Sequence, residues 1–291
     1  MADSSSPLTR RALLSILTIR EWRAVRRDKE VTAQVARDHG ADIGAGRYTK
    51  LLLSKSALAA IARVRTEART FHYQHTLPWC DDGSRILPSA EHLAYMDRMR
   101  ALRERFETTV SAFLEDYPRA REAARTALGT LYREADYPDT DALRDAFAFS
   151  VRLQPVPDGH DWRVELPNEE IERIREELQL QNETTLRTAM ADLYQRLAAV
   201  VAKMAHSLSN PSQIFRDTLV GNVRQICSLL PSLNVAADPD LQALGEQVER
   251  QLGGLDPTVL RENPAARQEA AGRAAELLQS ITDRLSSYTG V

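Results

Sequence analysis

Cysteine is nearly absent from this 291-residue chain: Cys80 and Cys227 stand far apart, and neither belongs to a Cys-x-x-Cys pair. Two such residues exclude a zinc knuckle and a disulfide framework, and they suit a reducing compartment. Long apolar runs are missing too, since no stretch approaches the roughly 18 residues that a membrane span requires. The run Ala12-Leu13-Leu14-Ser15-Ile16-Leu17-Thr18-Ile19 follows Arg10-Arg11 as a secretory leader would, but it ends at Arg20-Glu21 without a small-residue cleavage site, so export is not expected. Nucleotide fingerprints are also lacking. Gly40-Ala41-Asp42-Ile43-Gly44-Ala45-Gly46-Arg47 has no Gly-Lys-Ser/Thr ending, no G-x-G-x-x-G follows a strand pattern, and no G-x-S-x-G occurs. No catalytic motif or cofactor signature emerges, and a protein without enzymatic activity is the expectation.

What is present is charge, unevenly placed. The first 75 residues carry 14 Lys/Arg against 7 Asp/Glu, and the remaining 216 carry 24 against 34, so the formal net of −3 conceals a basic beginning and an acidic remainder. One end is suited to a polyanion, the other to protein partners or to self-association. Only Lys29, Lys50, Lys55 and Lys203 are lysines, which makes the cationic chemistry chiefly that of the planar guanidinium.

The patterning predicts an α+β chain that is predominantly helical. Residues 12–25 and Gly46 to Leu53 read as strands. Glu30 to His39 reads as a short helix, and a longer helix capped by Ser54 or Ser56 runs to Phe71, giving a β-α-β-α order. Asp82-Gly83, between Pro78 and Pro88, has hairpin chemistry. A second hairpin is predicted from Phe147, Phe149, Val151 and Leu153 through Pro157-Asp158-Gly159 to Trp162, Val164 and Leu166. Leu93, Met96, Met99, Leu102, Phe106, Val110, Phe113 and Tyr117 recur at helical spacing up to Pro118. There the helix is expected to stop, with a second running from Arg119 to about Ala135 as its antiparallel partner. From Asn168 a very long helix, ~60 Å at 1.5 Å per residue, should reach Leu208. Its inward positions Leu178, Asn182, Leu186, Ala189, Leu193, Leu197, Val200, Met204 and Leu208 follow an eleven-residue repeat, and so long an apolar stripe calls for other helices or another subunit. Further helices are expected up to Pro231, from Asp238-Pro239 to Gly253-Gly254, and from Asn263 to Tyr288. The expected organisation is a basic α+β part at 1–88, a helical hairpin at 89–145, a β-hairpin at 146–166 and a helical bundle at 167–291.

His72, His75, Cys80 and Asp81 are acceptable metal ligands within ten residues, but their spacing matches no zinc pattern, and capping or packing accounts for each. No metal is assigned. The interleaving of cations and aromatics in Arg20, Trp22, Arg23, Arg26, Arg27, Lys29, Arg47, Tyr48, Lys50, Lys55 and Arg69 is more specific. Cations neutralise phosphates, and aromatic faces stack on unpaired bases. Arg23, Arg26, Arg27, Lys50, Lys55 and Arg69 are expected to line one surface, with Trp22 or Tyr48 at its edge. Pro78, Trp79, Asp82, Gly83, Arg85 and Pro88 are read as architectural, with Trp79 against the helix that begins at Ser89 and Arg85 meeting a carboxylate or a phosphate.

The order of Ala68-Arg69, Thr76-Leu77-Pro78-Trp79, Asp82-Gly83-x-Arg85-Ile86-Leu87-Pro88, Tyr95, Met99, Phe113-Leu114-x-x-Tyr117-Pro118, Leu128-Gly129 and Asp136-Tyr137-Pro138 resembles a domain-of-unknown-function family of tailed phages and integrative elements. Pro155-Val156-Pro157, Leu229-Leu230-Pro231-Ser232-Leu233-Asn234 and Asp238-Pro239 fit as well. Members of that family tend to be encoded near MoxR-type AAA+ ATPases, von Willebrand A proteins and sometimes recombination genes. The resemblance brings no activity or catalytic residue. It implies a mobile-element protein working inside the bacterial host cell within a multi-protein assembly. The combined expectation is a non-enzymatic, cytoplasmic, homo-oligomeric protein of nucleic-acid metabolism that binds or anneals single-stranded DNA. The alternative is a helical adaptor for an AAA+ or von Willebrand A partner, and a metal-dependent nuclease ranks third.

Overall fold

The structure is a computed structural model and describes residues 7–158, 166–210, 212 and 214–290. The fold is α+β and predominantly helical, with a four-stranded sheet, a separate two-stranded ladder and long helices. The chain divides into two compact units. Unit 1 is Met1–Ile16, His72–Tyr95 and Arg152–Val291; unit 2 is Leu17–Phe71 and Met96–Val151. Residues 1–88 are therefore shared between the units.

In unit 1, α1 (Pro7–Arg11) leads into β1 (Ala12–Arg20), which lies antiparallel to β5 (Ser84–Pro88), Ala12 facing Pro88 and Ile16 facing Ser84. β5 also pairs with the two-residue β4 (Leu77–Pro78), and the sheet order is β4-β5-β1-β6, with β6 at Ala148–Pro155. The β4–β5 turn forms as its residues dictate. Gly83 has φ +88°, a conformation that L side chains rarely adopt, and Asp82 Oδ1 accepts the Ser84 N–H at 2.7 Å. Trp79 is partly buried against the helical core of unit 1. The return strand expected around Trp162 and Val164 lies outside the described residues.

The helices of that core are α6 (Asn168–Ser209), α7 (Asp217–Leu233), α8 (Pro239–Val248), α9 (Pro257–Glu262) and α10 (Pro264–Thr289), with one π-helical turn at Glu249–Gly253. The helices expected from Asp238-Pro239 and Asn263 are capped by those Asx side chains: Asp238 accepts the Asp240 and Leu241 N–H groups, and Asn263 accepts that of Ala266. Asn168 is not a cap, because Pro167 takes that place without a side-chain bond. From Ala189 onward the inward face of α6 is buried. Ala189, Leu193, Leu197, Met204 and Leu208 share one core with Leu219, Val223 and Leu230 of α7, Leu241 of α8, and Ala270, Ala274, Leu277 and Ile281 of α10. Ala270 and Ala274 are small enough to bring the α10 backbone close to α6. The long stripe thus needs no second subunit from Ala189 to Leu208. Leu178 and Leu186 are half-buried, and Asn182 donates to the Pro157 carbonyl at 3.1 Å.

Unit 2 contains β2 (Val25–Arg27), α2 (Lys29–Asp38), β3 (Thr49–Leu51), most of α3 (Ala59–Gln74), α4 (His92–Leu128) from Met96 onward, and α5 (Thr140–Asp145). The expected break at Pro118 does not occur. α4 runs through it for 37 residues, so the helical hairpin at 89–145 gives way to one helix. Proline inside a helix costs about 3 kcal/mol through the lost N–H and the clash with the preceding turn. Phe106, Val110, Phe113, Leu114 and Tyr117 before it, and Ala124 after it, are all buried, while Pro118 faces solvent. Burial of several large side chains at about 2 kcal/mol each outweighs that cost.

Candidate nucleic-acid interface

The expected cationic residues are organised by the antiparallel ladder of β2 and β3, in which Val25 faces Leu51, Arg26 faces Lys50 and Arg27 faces Thr49. Backbone bonds extend the ladder at both ends, from Asp28 N–H to the Tyr48 carbonyl at 3.0 Å and from Leu52 N–H to the Ala24 carbonyl at 2.8 Å. Side chains alternate across a ladder, so Arg26 and Lys50 share one face while Val25, Arg27, Thr49 and Leu51 share the other.

The Arg26–Lys50 face is internal, and this corrects the expectation for Lys50. The residue is 3% exposed, with Nζ 2.6 Å from Asp136 and 3.4 Å from Asp28, and it donates to the Leu131 carbonyl at 2.9 Å. Arg26 is exposed but leans the same way, its Nε 3.6 Å from Asp136. Asp28 caps α2, accepting the Glu30 and Val31 N–H groups at 3.1 Å each. The Val31 N–H, with further help from Lys50 and Arg133 and against the effect of burial, holds its carboxyl below the usual range. Lys50 therefore closes a charge cluster inside unit 2.

Trp22 is also internal in role. Its ring meets Tyr117 edge-on at 5.9 Å between centroids and lies 6.5 Å from Phe113, so it is a packing residue of α4 rather than a stacking platform at the edge of a surface. Tyr48 is half-buried and lines a cavity of about 260 Å³ with Val35, Ile43 and Arg47.

Arg23, Arg27, Lys29, Arg47 and Lys55 remain around the ladder, all exposed and, among the described residues, without an ion pair. Lys29 opens α2 just past the Asp28–Tyr48 bond and Arg47 precedes Tyr48, with Arg23 before β2 and Lys55 after β3. Arg20, at the end of β1, and Arg69, on α3, are exposed and unpaired as well. Elsewhere in unit 2 several arginines are neutralised, Arg65 by Glu21, Arg98 and Arg105 by Glu67, Arg121 by Glu134 and Arg133 by Glu30, whereas Arg37, Arg63 and Arg144 are exposed without an ion pair among the described residues. Unit 2 carries 21 Lys/Arg against 17 Asp/Glu and unit 1 carries 17 against 24, so the charge asymmetry read along the sequence persists in space.

Three of the four ligand-type residues of the β4–β5 region are engaged with other groups. Among the described residues no three His, Cys, Asp or Glu side chains converge as a metal site would require. His72 Nδ1 lies 2.7 Å from the Tyr95 hydroxyl, His75 Nδ1 lies 2.6 Å from Glu91, and the Cys80 thiol donates to Asp82. Among the described residues Arg85 pairs with no carboxylate. It donates to the Thr76 hydroxyl at 2.7 Å and the Thr76 carbonyl at 3.1 Å, with its guanidinium 4.7 Å over the Tyr73 ring. Burial, then the neighbouring Arg196, lowers its pKa. Arg196, which the sequence did not single out, donates to the carbonyls of Gln74 and Thr76 and pairs with Asp192. Two guanidiniums thus satisfy carbonyls at the end of α3, where a helix dipole favours cations.

No family model, curated protein or solved structure matches this chain. No helix among the described residues is long and apolar enough to cross a membrane.

Proposed function

We propose that the protein is a non-enzymatic component of nucleic-acid metabolism that holds a phosphate backbone on the β2–β3 ladder of unit 2. The observation that carries this reading is the group Arg23, Arg27, Lys29, Arg47 and Lys55, five exposed cations around one short ladder without carboxylate partners among the described residues. Other arginines of the unit, such as Arg65, Arg105, Arg121 and Arg133, are paired with carboxylates. Cations left unneutralised at one place are the electrostatic footprint of a polyanion site. With Trp22 packed on α4, base stacking has little support, so contact is made with phosphates and single strands are not strongly favoured over duplex. The setting implied by the sequence resemblance is a phage or mobile element, with the acidic unit 1 available to an AAA+ or von Willebrand A partner.

A second reading, the adaptor that binds no nucleic acid, draws on the outward face of the same ladder, where Val25 and Leu51 are 42% and 48% exposed opposite one another. Apolar residues so placed suit a protein surface. Fluorescence anisotropy with labelled single-stranded and duplex DNA across a salt series separates the two. Phosphate contacts by five cations predict a log–log salt slope of about −4.5 on duplex, with the two DNA forms bound within about tenfold of each other. No binding of either form at low salt removes the leading reading and leaves the adaptor.

A further inference from the structure

Unit 1 contains a cavity of about 660 Å³ between α7 and α8, unrelated to the ladder of unit 2. Its volume falls in the range of small-molecule sites. Leu230, Pro231 and Leu241 supply apolar wall, and Gly245 lets the two helices approach so closely that an added Cβ would lie 2.9 Å from Leu230 Cδ1. At one end the π-helical turn Glu249–Gly253 redirects the chain. Such turns widen a helix locally, and they recur at functional sites.

The polar groups of the wall are unevenly satisfied. Ser228 donates to the Gln225 carbonyl, Gln242 donates to Glu246, and Asn234 exchanges two hydrogen bonds with the Asp238 backbone. Arg224 donates through Nε to the Gly253 carbonyl, and Arg250 lies 3.7 Å from Glu246. Glu249 differs. Its Oε2 is closed off from bulk solvent, and the donor beside its carboxylate among the described residues is the weak one of the Cys227 thiol. The neighbouring Cys227 thiol is pushed up to about 12, by burial first and by the Glu249 charge second, so it stays protonated and is no nucleophile. A carboxylate oxygen closed off from water with only a thiol beside it is under-satisfied, and a bound cation relieves that cost.

We infer that this cavity is a binding site for a small amphiphilic amine, its apolar body lying between α7 and α8 and its ammonium group donating to Glu249. The walls match the body, and the under-satisfied Glu249 carboxylate matches the head.

The test uses the full chain and three probes of one shape: 4-phenylbutylamine, 4-phenylbutanol and 4-phenylbutanoate, titrated by isothermal calorimetry. The amine is expected to bind saturably and about tenfold or more tighter than the other two, since a charge-assisted bond is worth at least that factor. Glu249→Gln should erase the difference between amine and alcohol. Ser228→Trp, at an exposed position of the cavity wall, should block all three probes, and thermal melts of both variants confirm that they are folded. Equal binding of the three probes by the unmodified chain would overturn the assignment, as would an amine preference that survives Glu249→Gln or Ser228→Trp.

Discussion

The Tyr194 hydroxyl donates to the Asp238 carboxylate at 2.8 Å, tying the middle of α6 to the cap of α8. Tyr288 of α10 donates to the same oxygen at 2.7 Å, while the other oxygen caps α8. One carboxylate thus fastens three helices of unit 1. Burial opposes its ionisation, but the two hydroxyls and the Leu241 and Asp240 N–H groups prevail, and its pKa is lowered from 3.8. Asp238→Ala removes a cap and leaves the buried Tyr194 hydroxyl without its acceptor, a loss of about 2–4 kcal/mol in urea unfolding. A depressed carboxyl pKa gives stability that is present above 3.8 and lost as pH falls through the folded value, so the gap between wild type and variant should narrow only in strong acid.

His72 responds in a different pH window. Burial first, and the charge of Arg85 second, lower its pKa from 6.5 to about 4, leaving a neutral ring against Tyr95, whose hydroxyl lies 3.0 Å from Ser15 Oγ. Unfolding frees the ring to take a proton anywhere between those values. Stability should be full above pH 6.5, fall as pH drops and level off near 4, with about 3 kcal/mol coming from this one group. Melting temperatures of wild type and His72→Gln from pH 7.5 to 4 check this; equal slopes in the two proteins would contradict it.

Lys50 should behave as a core residue. Replacing it with Met leaves Asp136 and Asp28 facing each other without their shared cation, and a loss of about 3 kcal/mol is expected. Binding of DNA by the fraction that remains folded should be unchanged. A Lys50→Met protein of normal stability but weakened DNA binding would return this residue to the surface on which the sequence placed it.

The turn at Gly83 is the simplest case. Gly83→Ala forces a side chain to φ +88°, at a cost of about 1–2 kcal/mol with or without chelator. His75→Ala should release no metal by elemental analysis, because His75 is engaged with Glu91. Stoichiometric zinc lost on that substitution would overturn the architectural reading of this hairpin.

The legible parts of the fold were those whose signals are local. Asp238-Pro239 and Asn263-Pro264 announce helix starts through a cap and a preset φ, Asp82-Gly83 announces a turn, and the apolar spacing up to Leu208 marks the long α6. Pro118 misled because the terms that keep α4 continuous, the burial of Phe113, Tyr117 and their neighbours, are tertiary. The candidate site followed the same rule. Arg23, Arg27, Lys29, Arg47 and Lys55 could be picked out as a basic cluster from one short segment. Nothing local distinguishes Lys50, whose partner Asp136 is far along the chain, or Trp22, whose partners are Phe113 and Tyr117.

The central claim, that the ladder cations hold a phosphate backbone, is tested most directly by charge reversal. Anisotropy at low salt should show Arg27→Glu/Arg47→Glu losing DNA affinity by about 100-fold or more, with a shallower salt slope, while Lys203→Glu on α6 binds as wild type does. Equal affinity for wild type and the double variant, with both folded by circular dichroism, would contradict the account.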